Sequence, residues 1–121
     1  MKKLRIITLL AFIFGAIILL PSCTKDDNSV TGYITYGPEH KTAMLASVEL
    51  VNAKTDETYS KTTTDLDGYY EFYPVDNGTY YIYAHYTALD GTEYDNVSEN
   101  FTLVGTTDKT INLNLLEIVK K

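Results

Sequence analysis

The chain has 121 residues, with 10 Lys and Arg against 16 Asp and Glu for a formal net charge of −6, one cysteine, and eleven tyrosines beside no tryptophan. That length holds one domain, and a single cysteine excludes disulfide frameworks and thiolate metal clusters. The acidic balance makes nucleic acid and anionic headgroups poor partners, because binding either requires a basic patch.

The chain starts with Met1, Lys2, Lys3, Leu4 and Arg5, followed by an apolar run from Ile6 to Leu20 broken only by Thr8 and Gly15. This run is shorter than the roughly 20 apolar residues of a bilayer-spanning helix and matches the apolar region of a secretory signal peptide. The next four residues, Leu20-Pro21-Ser22-Cys23, resemble the lipobox of bacterial lipoproteins, although Pro21 stands where a small or β-branched residue is usual. The resemblance implies that residues 1–22 are a signal peptide cut before Cys23, and that the Cys23 thiol is alkylated with lipid. Several acyl chains such as palmitate give an effectively permanent anchor, where one chain holds only marginally.

Residues 23–29 read as the lipidated cysteine and a polar tether. The six residues after the cysteine are too polar to fold and reach roughly 20 Å when extended. Lys25-Asp26-Asp27 resembles the export signal that sends lipoproteins of Bacteroidetes-type bacteria to the outer face of the outer membrane. Once the signal is removed, seven lysines and no arginine stand against 16 acids, a net of −9. Without arginine the chain lacks the usual bidentate clamp for carboxylate and phosphate.

From Val30 the hydrophobic signal has period two. Val30, Gly32 and Ile34 alternate with Thr31, Tyr33 and Thr35 up to the break at Gly37-Pro38-Glu39-His40. Val48 and Leu50 mark a second strand, and Thr58 to Thr64 a third that ends in the turn Asp65-Leu66-Asp67-Gly68. Tyr70 and Phe72 alternate with Tyr69, Glu71 and Tyr73 before Pro74-Val75-Asp76-Asn77-Gly78, which reads as a hairpin loop. Tyr80, Ile82, Ala84 and Tyr86 then alternate with Tyr81, Tyr83 and His85. Asp90-Gly91 marks a turn, Val97 to Val104 a further strand, and Ile111, Leu113 and Leu115 the last. About seven strands with no helical stretch predict an all-β, seven-stranded antiparallel two-sheet sandwich over residues 30–116, with residues 117–121 as a tail.

The succession Val30-x-Gly32-x-Ile34, Ala46-x-Val48-x-Leu50, Thr62-Thr63-Thr64-Asp65-x-Asp67-Gly68-x-Tyr70-x-Phe72 and Gly78-x-Tyr80-x-Ile82 resembles the carboxypeptidase regulatory-like domain, a transthyretin (prealbumin)-like sandwich. It is similar also to collagen-adhesin B-type repeats. Gly68 and Gly78 suit turns that need positive φ. The resemblance implies a folding support, spacer or binding module and no catalysis. Some adhesin relatives carry a Lys–Asn isopeptide cross-link. The strand Val30 to Tyr36 has no lysine, so Asn112 and Asn114 are expected to lack that partner.

Asp65 and Asp67 are weak metal candidates: calcium wants six to eight oxygens, and Asp76 and Asn77 would have to close the site from another turn. Aspartates before glycine more often bond their own backbone. His40 and His85 show no fixed partner, and Ser29, Ser47, Ser60 and Ser98 lack nucleophile-elbow surroundings. No catalytic residue and no cofactor is expected. Strand parity turns Tyr69, Tyr73, Tyr81 and Tyr83 outward on two strands read as a hairpin, a candidate ligand face, with Tyr33 outward on the first strand. Such a face suits sugar rings or a protein partner, or serves only to stabilise the sheet.

The sequence thus predicts a non-enzymatic, lipid-anchored module at the outer membrane, facing the exterior and partnered by an outer-membrane protein. The alternative is a carbohydrate-binding lipoprotein using the tyrosine face.

Overall fold

The computed structural model describes residues 27–119. The expected signal peptide, the lipobox Leu20, Pro21 and Ser22 with Cys23, and Lys25 and Asp26 of the export signal lie outside the described residues.

Alternation holds along β1 (Asn28–Tyr36), where Val30, Gly32 and Ile34 are buried and Tyr33 is exposed. The other strands are β2 (Lys41–Thr42), β3 (Ser47–Asn52), β4 (Thr58–Thr63), β5 (Tyr69–Val75), β6 (Gly78–Thr87), β7 (Glu93–Val97), β8 (Phe101–Leu103), β9 (Asp108–Thr110) and β10 (Leu113–Glu117). The all-β class is as read. The strand count and the purely antiparallel pairing are not, because β1 runs parallel to both β9 and β10.

One sheet face is built from β5, β1 and β9, and the other from β4, β3, β6 and β7, with β8 beside the start of β6. β10 joins the two by pairing with β1 through Leu113–Leu115 and with β7 through Leu116–Glu117. The result is a curled mixed sheet closed over one core. Val30, Ile34, Tyr70, Phe72 and Val75 enter it from one side, and Val48, Leu50, Tyr80, Ile82, Ala84 and Leu103 from the other. Burying a large apolar side chain contributes about 1.5–3 kcal/mol, so this shared interior is the main stabilising term.

Several boundaries move. Asn28 and Ser29, assigned by sequence to the tether, belong to β1, and Asn28 is fully buried. Its Nδ2 donates to the Val75 carbonyl at 2.9 Å and to Asn77 Oδ1 at 3.0 Å, while its Oδ1 accepts the Thr107 N–H at 2.8 Å. A polar residue looks like tether until a fold supplies those partners. At the other end Glu117 lies in β10, and the Ile118 N–H bonds to the Glu93 carbonyl, so the domain extends past residue 116.

The strand read as Val97 to Val104 is two strands, β7 and β8. β7 begins at Glu93, in a polar stretch whose strand form comes from its pairing with β6 and β10. Pro74 and Val75, read as loop, finish β5. Asn112 and Asn114 fasten β1 to the last strands: Asn112 Oδ1 accepts the Tyr33 N–H at 2.9 Å and Asn114 Oδ1 the Thr35 hydroxyl at 2.8 Å.

Candidate functional site

Turn tips normally carry Gly, Asn, Asp, Ser or Pro. At the Tyr36 end of β1, three turns carry large apolar residues instead. The first is Ala43-Met44-Leu45-Ala46. Ala43 and Ala46 are buried, and Thr64, also buried, ties them together. Its hydroxyl donates to the Ala43 carbonyl at 2.6 Å and accepts the Ala46 N–H at 2.8 Å, and its own N–H bonds to the Ala46 carbonyl. Met44 and Leu45 are thereby pushed outward, with Leu45 67% exposed at φ 58. The left-handed conformation costs an L-residue about 1–2 kcal/mol, which the Thr64 clamp offsets.

The second turn is Asp65-Leu66-Asp67-Gly68. The Asp65 carboxylate accepts the N–H of Asp67 at 2.8 Å and of Tyr69 at 3.0 Å, and Gly68 sits at φ 80, where a Cβ would press on the Ile34 carbonyl 2.8 Å away. Leu66 stands at the tip, 70% exposed. The third runs from Ala88 to Thr92. It is closed by Gly91 N–H to Ala88 O, Ala88 N–H to Thr92 O and Thr92 N–H to Asp90 Oδ1. Leu89 at its tip is wholly exposed. The Thr92 bonds hold the Asp90 carboxyl below the ordinary carboxylate range.

Between these turns lies a cleft of about 730 Å³, whose lining includes Tyr36, Met44, Leu45, Leu66, Tyr86 and Leu89. Tyr36 stacks on Tyr86 and Tyr94, with ring centroids 4.6 and 4.8 Å away, and the three rings close this end of the core. Burial first, then the neighbouring Tyr36, raises the Tyr86 phenol above its usual range.

The chain enters at the other end. Asp27 N–H bonds to the Gly105 carbonyl and Ser29 N–H to that of Thr107, beside Asn77 and Asn28. From Asn28 to Tyr36, β1 spans about 26 Å at roughly 3.3 Å per residue, so the cleft and the N-terminal start of β1 are on opposite ends of the domain.

The four-tyrosine face requires correction. β5 and β6 do not pair with each other; β5 pairs with β1, and β6 with β3, β7 and β8. The Asp76-Asn77 link is an arch between opposing sheets, so Tyr69 and Tyr73 face outward on one side of the domain and Tyr81 and Tyr83 on the other. Parity distinguishes inward from outward and is blind to which sheet a strand joins.

Tyr33 does join Tyr69. They are cross-strand partners, with ring centroids 5.3 Å apart. On the opposite side the hydroxyls are engaged: Tyr81 donates to Asp56 at 3.1 Å and Tyr83 to Asp95 at 3.0 Å. Desolvation first, then these carboxylates, raises both phenols above their usual range.

Asp65 is used by its own turn, and Asp76 and Asn77 lie at the opposite end, so the sequence's calcium residues are not brought together. Among the described residues no group of three or more His, Cys, Asp or Glu side chains is placed to hold a metal ion. His40 is exposed, and His85 Nε2 lies 3.2 Å from Glu93 Oε1. Ser47 is the cross-strand partner of His85. The three apolar tips escaped the sequence reading because an apolar residue before a strand looks like its first core residue. The one legible signal is Leu66, an aliphatic inside a turn motif.

No protein-family model and no curated protein matches the sequence. Solved structures do. A DUF3823 family protein from Bacteroides uniformis superposes with a TM-score of 0.52 at 14% identity, over 75% of this chain and 43% of that one. The likeness is one of fold, an all-β sandwich closed by a curled mixed sheet. A Pseudomonas aeruginosa protein with a proposed carbohydrate-binding role gives 0.50 at 19% identity, over 75% of this chain and 91% of its own. The major pilin subunit BcpA of Bacillus cereus gives 0.50 at 14%, over 75% and 29%. This chain therefore spans less than half of the Bacteroides protein and of the pilin.

Proposed function

We propose that this chain is a non-enzymatic module, lipidated on Cys23 and held on the outer face of the outer membrane, that presents the Met44–Leu45, Leu66 and Leu89 turns to a partner. The observation that carries the reading is geometric: the apolar tips gather at the end of the sandwich farthest from the tether. An anchor at one end and an adhesive surface at the other is the arrangement a display module needs. The lipobox-like residues 20–23 and the Lys25-Asp26-Asp27 run support the anchor and its outward direction. The resemblance of residues 30–115 to carboxypeptidase regulatory-like domains, which serve as accessory or binding units, supports the non-catalytic role.

The test uses the full chain in its own membrane. Cys23→Ala is expected to abolish acylation and move nearly all of the protein out of the washed membrane fraction, since acyl chains supply the binding energy. Asp26→Asn with Asp27→Asn is expected to keep it in the membrane and reduce labelling by a membrane-impermeant reagent on intact cells. Unchanged membrane retention in the first variant would sink the anchor; unchanged labelling in the second would sink the export signal.

A carbohydrate reading keeps one observation, the pairing of exposed Tyr33 with half-buried Tyr69, with exposed Tyr73 on the same outer face. Glycan-array binding that is lost in Tyr33→Ala with Tyr69→Ala is the outcome it expects. An empty array for the wild-type protein removes it.

A further inference from the structure

The acids near the cleft specify the partner's chemistry. Leu66 is flanked by Asp65 and Asp67, Leu89 is followed by Asp90, and Glu93 lies against the cleft residue His85. Among the described residues the lysine at this end is Lys41, 3.6 Å from Glu39, and that pair is neutral. Over residues 27–119 the domain has 15 Asp and Glu against 4 Lys, a formal net of −11.

Building on the display reading above, we infer that the cleft and its three tips bind a polypeptide segment that inserts aliphatic or aromatic side chains between Leu45, Leu66 and Leu89 and carries Lys or Arg on either side. The tips stand out from the surface, so a small molecule within the cleft leaves them wet, whereas a macromolecule covers tips and cleft together. A basic flank meets Asp65, Asp67 and Asp90. A second copy of this chain would set those carboxylates against their own kind, and an anionic lipid surface would meet the same repulsion. The turns are braced by the Thr64, Asp65 and Asp90 bonds, so little ordering cost falls on this side of the interface.

The probes are three fluorescein-labelled peptides: a Leu/Phe core flanked by Lys, the same core flanked by Glu, and a Ser core flanked by Lys. Anisotropy is measured against the full-length protein in phosphatidylcholine nanodiscs, with empty nanodiscs as blank. The first peptide is expected to bind at least about tenfold more tightly than either other, with the gap from the Glu-flanked peptide narrowing between about 50 mM and about 500 mM salt. Leu66→Ser with Leu89→Ser, both at exposed tips, is expected to weaken it about tenfold or more with the melting temperature held. Asp67→Asn with Asp90→Asn is expected to bring the Lys- and Glu-flanked peptides together.

Equal binding of the three peptides, binding of none, or full binding by the leucine variant overturns the inference. So does self-association, or adsorption to phosphatidylglycerol vesicles, that the leucine variant abolishes. Surface labelling is read separately, so lost peptide binding with labelling intact removes this inference and leaves the display reading standing.

Discussion

Gly32→Ala is expected to destabilise the domain by about 3 kcal/mol or more, a large share of the roughly 5–15 kcal/mol that holds a typical domain folded. Gly32 is buried in β1 opposite Tyr70, where the chain between β9 and β10 crosses it. A methyl group there overlaps the Ile111 carbonyl oxygen and lies 2.7 Å from its carbon and 3.1 Å from the Tyr70 ring. Relief means moving backbone. Ile111 is held on both sides, its N–H bonded to the Thr31 carbonyl at 2.8 Å and its carbonyl accepting the buried Tyr70 hydroxyl at 2.7 Å. Shifting it forfeits both bonds and leaves a buried phenol unpaired.

Gly37→Ala supplies the control. Gly37 is at φ 79, and a methyl group added there meets nothing within 4 Å, so only the left-handed backbone cost of about 1–2 kcal/mol applies. Urea midpoints at constant m-value measure both. A Gly32 variant no weaker than the Gly37 one would mean that the last strands do not pass where described.

Asn28→Ala is the second large effect, expected at about 2–3 kcal/mol. It removes three hydrogen bonds from a fully buried position and strands the Val75 carbonyl and the Thr107 N–H. Asn77 loses one partner but keeps the Gly105 N–H at 2.7 Å. Asn28→Asp, equal in size, faces the Val75 and Asn77 oxygens with acceptors in place of donors, so it is expected to be no milder. Hydrogen exchange separates local from global loss: the amides of Asp27, Ser29, Gly105 and Thr107 should speed up first. A uniform change across the domain would count against Asn28 as a local fastener of the start of β1.

Some of the candidate site was legible and some could not be. Leu66 stood in a turn motif whose geometry holds, and Asp65 bonds its own backbone as residues of that type do. Met44, Leu45 and Leu89 carried no such mark, because exposure of an aliphatic at a turn depends on whether its neighbours are buried. Ala43 and Ala46 are buried through contacts with β1 and Thr64, residues nine or more positions away along the chain. The paired tyrosines failed for a related reason. Tyr70, Phe72, Tyr80 and Ile82 all face the core as read, and that pattern is satisfied equally by a hairpin in one sheet or an arch between two.

By itself, then, the sequence determined the all-β class, the alternation of β1, β5 and β6, the turn at Asp65–Gly68 and the expectation of an anchor at Cys23. Those are local matters, governed by side-chain period, turn chemistry and the residues on either side of a motif. Tertiary structure alone decided the parallel course of β9 and β10 along β1, the burial of Asn28, the separation of the tyrosines onto opposite sides and the gathering of three apolar tips at one end. Each depends on which distant segments become neighbours, a choice made by burial of the shared core and by the pairing of backbone groups, and written in no single stretch of residues.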